Sequence, residues 1–169
     1  YELHQQLGVG VHLVETPGWS FPLPAGTQFK PRSDVYNSIY PRFQPGDIVL
    51  ISRIFISRSL PYTVDELRPW LYNTSLLAED LAGKGVSLVI TGPPPIFPYK
   101  DIRECNLDER ESCRLERAAF APLVEQVLEQ LNGLKTKHQN IEVFDIFASA
   151  CPAGDSYCYP DNGSSFLYR

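Results

Sequence analysis

No stretch of the 169-residue chain approaches the roughly 18 to 20 consecutive apolar residues that a membrane span requires. No basic-then-apolar leader opens it either, so the piece as written is expected to be soluble. There is no Lys/Arg run, and the formal net charge is -5. Phosphate-backbone binding needs a concentrated basic surface, so nucleic acid is not an expected partner. Methionine is absent altogether, even at the start. "YELHQQLG" reads as a helix already under way and "SSFLYR" as the start of a strand or turn, so an excerpt of a longer protein, truncated at both ends, is expected. Histidine is scarce: His4, His12 and His138 lie far apart, and no C-x2-C knuckle accompanies them, which disfavours a zinc site.

What is present suffices for one core. A content of 43% hydrophobic and 12% aromatic residues in 169 positions suits a single domain spanning 1–169, with no need of disulfides to fold. The four cysteines nevertheless fall into two close pairs, Cys105 with Cys113 and Cys151 with Cys158, each closing a short polar loop. That spacing suits two local disulfides in an oxidising compartment, with free thiols the alternative.

The pattern along the chain alternates between strand and helix. Residues 1–7 end a helix at Gly8, and "VGVHLVE" (9–15) alternates as a strand. "TPGWSFPLPAGTQFKP" is a Pro/Gly-punctuated loop with large aromatics. Ser33 or Asp34 is placed to cap a short helix running to Tyr40 and stopped by Pro41. "GDIVLISRIF" (46–55) is a nearly continuous apolar strand, as expected when helices cover both faces of a parallel sheet. Thr63-Val64-Asp65-Glu66 matches a capping box, and Leu67, Trp70, Leu71, Leu77, Ala78 and Leu81 recur at helical spacing until Gly83 and Gly85. Pro69 inside that run is expected to kink or split it. "VSLVIT" (86–91) is the next strand, ended by Gly92-Pro93-Pro94-Pro95, because proline lacks the amide donor a ladder needs. A helix over 115–131 presents Leu115, Ala119, Leu123, Val127 and Leu131, with Pro122 in conflict, and "NIEVFDIF" (140–147) is the last strong strand.

Strand, helix, strand, helix, strand at these intervals predicts an α/β fold, a three-layer α/β/α sandwich around a parallel sheet. Ligands bind such sheets at the carboxyl ends of the strands. Arg53, Thr91-Gly92-Pro93 and the loop after Phe147 all fall there, which nominates one cleft. Arg53, Thr91 and Gly92 are the candidate ligand-contacting residues of that cleft. Trp19 is a candidate wall for a substrate, with a buried anchor as the plainer reading. Trp70, on a helical stripe, reads as core. None of the three histidines is favoured as a base, and Ser20, Ser52, Ser57 and Ser149 lack a nucleophile-elbow setting. Asn73-Thr74-Ser75 and Asn162-Gly163-Ser164 fit the glycosylation sequon.

"DIVLISRIF", "VSLVITGPPPIF" with a cysteine loop after it, and "IEVFDIFASACP" with "YCY" and "NGSSFLYR" resemble one family in their order. It is the SGNH domain, of the flavodoxin-like SGNH-hydrolase fold, fused to membrane acyltransferase-3 proteins that O-acetylate bacterial surface polysaccharides. The likeness runs from about "VHLVE" to the end. It implies an extracytoplasmic domain tethered to the membrane in its parent, a carbohydrate acceptor, a fused membrane domain as acyl donor, and no cofactor or metal. It also implies a Ser-Asp-His mechanism. The family places its nucleophile in a Gly-Asp-Ser block on a strand before the helix where this chain begins, and its Asp-x-x-His block just after "FLYR". Neither position lies in the chain, so no catalytic residue is assigned to it. The family's oxyanion Asn has no counterpart in "TGPPP", so the donors that the implied acyl transfer needs on its oxyanion would come from Arg53, Thr91 and Gly92. The missing nucleophile strand would lie between 10–14 and 47–52. Two alternatives remain: a secreted SGNH carbohydrate esterase, and a non-catalytic carbohydrate-binding or interaction module.

Overall fold

Three short runs rich in β-branched residues form the centre of the fold: β1 (Ile48–Ile51), β2 (Ser87–Thr91) and β4 (Ile141–Phe144). In this computed structural model the described residues are 8, 10–11, 21–22, 30–56, 63–97, 99, 105, 111 and 113–160. The strands pair in parallel in the order β1-β2-β4, with Ile51 opposite Ile90 and Ile90 opposite Val143. The connections are α2 (Val64–Ala82) between β1 and β2, and α3 (Arg117–Lys137) between β2 and β4. This is an α/β sandwich with a parallel sheet, the predicted class.

Side chains alternate across the sheet, and the two faces fare differently. Ile51, Leu88, Ile90 and Ile141 point into a core shared with Trp70, Leu77, Ala78 and Leu81 of α2 and Val124, Val127 and Leu131 of α3. Ile48 (66% exposed), Leu50 (64%) and Phe144 (52%) lie on the other face. Among the described residues both long helices therefore cover one face of the sheet. On its outer side β1 has no strand partner among them.

α2 begins as predicted. The Thr63 hydroxyl accepts from the Glu66 amide, and the Glu66 carboxylate accepts from the Thr63 amide at 2.7 Å, completing a capping box. Those Thr63 donors hold the Glu66 carboxyl below the usual carboxylate range. Pro69 does not split the helix. It lies within the second turn, where a missing N–H costs one bond, and its carbonyl accepts from Asn73 Nδ2 at 2.8 Å.

Several boundaries differ from the sequence reading, each for a local reason. The first described helix, α1 (Lys30–Ile39), starts before Ser33 and passes into a single 3-10 turn, Tyr40–Arg42, at Pro41. β1 stops at Ile51, while Phe55 and Ile56 remain buried beyond the ladder. Leu115 is not helical: with Glu116 it forms β3 (Leu115–Glu116), antiparallel to β5 (Tyr157–Cys158). That shift resets the phase of α3, whose buried positions are Phe120, Ala121, Val124, Val127, Leu131 and Leu134, while Ala119 is exposed. α3 also runs on to Lys137. Residues 145–147 leave the strand because the Asp145 carboxylate caps α4 (Ile146–Ala150), accepting from the Ala148 amide at 2.9 Å. Gly10 and Val11 carry no strand assignment, and the remainder of the 9–15 strand and the 1–7 helix lie outside the described residues.

α1 docks on α2 through aromatics. Tyr36 packs against Phe21, Tyr40 and Phe43, and the Tyr36 and Tyr40 hydroxyls donate to the two oxygens of Asp80 at 3.2 and 2.7 Å. Trp70, in the core as expected, donates its indole N–H to the Phe21 carbonyl at 2.8 Å.

Candidate functional site

The carboxyl ends of β1, β2 and β4 lie side by side, and each nominated residue has a definite place there or near it. Thr91 closes β2: its hydroxyl is buried and donates to the Ile51 carbonyl at 3.3 Å, tying the ends of β1 and β2 together. The Gly92 amide donates to the Phe144 carbonyl at 2.7 Å, one ladder bond beyond the strand. Pro93 has no amide to offer, so pairing stops there, and Pro93 and Pro95 are buried beyond the strand.

Gly92 is needed for a close approach, and the approaching group is protein. A Cβ there would lie 2.9 Å from Leu128 Cδ2 and 3.4 Å from the Phe144 carbonyl oxygen. The space that a side chain would fill is taken by α3. Arg53 follows β1 and stacks: its guanidinium carbon lies 5.0 Å from the Trp70 ring centroid and 5.3 Å from that of Phe55, with Nε donating to the Ile54 carbonyl at 3.4 Å. Arg53 is thus placed over the aromatic pair beside α2, while Thr91 and Gly92 meet at the β1–β2–β4 end. Trp19 lies outside the described residues.

The two cysteine loops converge on the same end. Cys105 is bonded to Cys113 and Cys151 to Cys158, so the described cysteines are all oxidised, and all four are buried. The loops are also joined to each other, because β3 begins two residues after Cys113 and pairs with β5, which ends at Cys158. Arg114 lies 3.8 Å from the Tyr157 ring centroid and forms an ion pair with Glu111, and the Tyr159 hydroxyl donates to the same Glu111 carboxylate at 3.0 Å. Arg117, the first residue of α3, donates its amide to the Ser156 carbonyl at 3.0 Å and its Nε to the Cys151 carbonyl at 3.4 Å. Beside Arg117, between α3 and the β4–α4 turn, opens a shallow pocket of ≈ 80 Å³ whose lining includes Val124, Glu125, Leu128, Asp145 and Phe147. Sequence reading missed Arg117, Glu125 and Leu128. They sit on a helix remote in sequence from the strand ends, and only the phase of α3 turns them toward Asp145.

A family model for the SGNH domain fused to AT3 domains matches residues 7–169. The chain belongs to this SGNH family. It is an acyltransferase-associated SGNH module, and a membrane acyltransferase domain is the family's fusion partner. No curated protein and no solved structure matches this chain. No helix among its described residues is long and apolar enough to cross a membrane.

A Gly-Asp-Ser triplet does occur in the chain, at Gly154-Asp155-Ser156, which corrects the sequence reading that no such triplet is present. It lies in the Cys151–Cys158 loop, where the Asp155 amide donates to the Pro152 carbonyl at 3.0 Å in a tight turn. Ser156 precedes β5 and is not set between a strand end and a helix start, the position in which the family carries its nucleophile. His138 is remote from it in the fold: it caps the C-terminus of α3, with Nε2 2.6 Å from the Ser75 hydroxyl of α2. His4 and His12 lie outside the described residues. In the first sequon Asn73 is buried, with its amide committed to Pro69, so it is closed to glycosylation; Asn162 lies outside the described residues.

Proposed function

We propose that this SGNH domain is the extracytoplasmic part of a bacterial surface-polysaccharide O-acyltransferase, transferring an acyl group, acetyl in the first instance, to a sugar hydroxyl. The observation that carries the reading is the match over residues 7–169 to the SGNH domain that occurs fused to AT3 domains. Two buried disulfides support an oxidising address outside the cytoplasm. The acyl group is delivered by the fused membrane domain, the acceptor is carbohydrate, and no cofactor is required.

The chemistry is two-step acyl transfer. A serine Oγ attacks the acyl carbonyl while a histidine, oriented by an aspartate, takes its proton and passes it to the departing donor group. A sugar hydroxyl then attacks the seryl ester, its proton passes to the histidine and on to the serine, and the sugar ester departs. The serine is that of the family's Gly-Asp-Ser block, and the aspartate and histidine those of its Asp-x-x-His block; none of the three is assigned to a residue of the chain. Within the chain Thr91 and Gly92 act as positioning residues, fixing the strand ends against α3. Arg53 and Trp19 are the proposed flanks of the acceptor path.

Reading the parent coding sequence across both ends tests this. Membrane spans and both blocks are expected. Both blocks without membrane spans would mean a secreted esterase, and absence of either block would leave a carbohydrate-binding module.

A further inference from the structure

We propose that the Cys151–Cys158 disulfide is a redox latch on the start of α3, so that this flank of the strand ends becomes ordered only after the two thiols are oxidised. The proposal is independent of the acyl group and of its acceptor.

The two long helices begin in opposite ways. α2 opens on a full capping box, with Asp65 and Glu66 in its first turn. α3 opens on Glu116, whose side chain makes no capping hydrogen bond, and its first turn holds no acidic residue. A helix start leaves its first amide donors without intrahelical acceptors and carries partial positive charge. The first residue of α3 is moreover Arg117, a cation at the end that disfavours one. Such a start needs acceptors from another part of the chain.

The second cystine loop supplies them. The Ser156 carbonyl accepts from the Arg117 amide at 3.0 Å, and the Cys151 carbonyl accepts from its Nε at 3.4 Å. Leu115 and Glu116, just before the helix, pair with Cys158 and Tyr157. The Arg117 guanidinium carbon lies 5.5 Å from the Phe147 ring centroid, and the Phe120 ring lies 5.6 Å from the same ring. Phe147 is itself fixed to the loop, because its carbonyl accepts from the Cys151 amide at 2.8 Å. Each of these ties reaches α3 through residues 147–158. Between the two cysteines, residues 152–156 are all exposed and bury no apolar surface that could hold the loop closed. The crosslink is what keeps the two acceptor carbonyls in place.

Closure is a thiol–disulfide exchange with a protein disulfide as the oxidant. One thiolate attacks the oxidant's disulfide and forms a mixed disulfide; the other then attacks the domain's sulfur in that bond and expels the oxidant as a dithiol. The electron pair and the two cysteine protons pass to the oxidant. Cys151 and Cys158 are 0% and 1% exposed, so the finished bond is shielded from attacking thiols. A chain still in a reducing compartment keeps residues 115–121 and 146–151 open while α2 and the sheet are formed.

Hydrogen exchange of the intact parent protein, read by mass spectrometry, tests the latch. Wild type is compared with Cys151→Ser/Cys158→Ser and with Cys105→Ser/Cys113→Ser. Opening the second loop is expected to speed exchange over 117–124 and 146–151 about tenfold, and to leave 64–82 within about twofold. Opening the first loop is expected to leave 117–124 within about threefold, because the acceptors of Arg117 stay crosslinked. Glu116→Asp gives α3 a cap of its own, and is expected to slow exchange over 117–124 about fivefold when added to the second-loop variant. Unchanged exchange at 117–124 without the second disulfide, equal acceleration over 64–82, the same loss on opening the first loop, or no recovery with Glu116→Asp would each overturn the proposal.

Discussion

Gly92 shows what a single residue contributes to this site. A triple proline after a strand marked the place in the sequence, because no ladder survives it. The sequence did not show that the glycine faces Leu128 instead of a ligand, since that depends on a side chain more than thirty residues away. Gly92→Ala should force the Leu128 methyl aside, into the pocket. Because the clash is with the end of a flexible side chain, the expected cost is about 1 kcal/mol, a fall in Tm of about 2–4 °C for a domain of this size. Thermal unfolding checks this, and an unchanged Tm would mean that the close packing seen here is absent. Arg53 was legible as a charge at a strand end, yet its stacking on Phe55 and Trp70 needed the turn after β1 to be known.

Among the elements, α2 was read most fully, because its start is written locally: Thr63 and Glu66 satisfy each other's backbone donors whatever the rest of the chain does. α3 was read correctly at Val127 and Leu131 and wrongly at its start. An i, i+4 pattern begun at Leu115 is broken once β5, forty residues on, takes Leu115 and Glu116 into a ladder. The contact between α1 and α2 was not legible at all, since nothing in the sequence links Tyr36 and Tyr40 to Asp80. It carries a pH dependence. Burial first, then the neighbouring Asp80 charge, raises the Tyr36 hydroxyl above the ordinary tyrosine range, and the hydrogen bond to Asp80 raises Tyr40 in the same direction. A folded-state pKa above the unfolded one stabilises the fold fully below the unfolded value, and that share is lost as pH rises through the folded one. Docking of α1 should therefore weaken above about pH 10, the ordinary tyrosine value. Asp80→Asn should bring the latest tyrosine ionisations to lower pH in an absorbance titration. An identical titration in the variant would contradict the assignment.

For the whole molecule, the fold class was legible because the order of apolar runs and caps encodes a parallel sheet, and the domain match extends over nearly all the chain. The uneven covering of the sheet was not, since β1 reads as buried on both faces while Ile48 and Leu50 are exposed on one. The cysteine pairing was suggested by spacing, but the joining of the two loops through β3 and β5 was not. Opening the second loop with Cys151→Ser and Cys158→Ser together should cost about 2–3 kcal/mol by loss of the short-loop constraint. It should also release Arg117, which that loop holds at two points. Denaturant unfolding of oxidised wild type against the double variant measures the first effect, and equal midpoints would show that the crosslink contributes nothing.

The central claim, acyl transfer to a surface glycan, is tested most directly by the O-acetyl content of that glycan. Envelope polysaccharide would be purified from cells carrying the intact parent gene and from cells in which only the segment encoding residues 1–169 is deleted, and compared by proton NMR. The account predicts O-acetyl resonances in the first, their loss in the second, and their return on complementation. Unchanged O-acetylation in the deleted strain would contradict it.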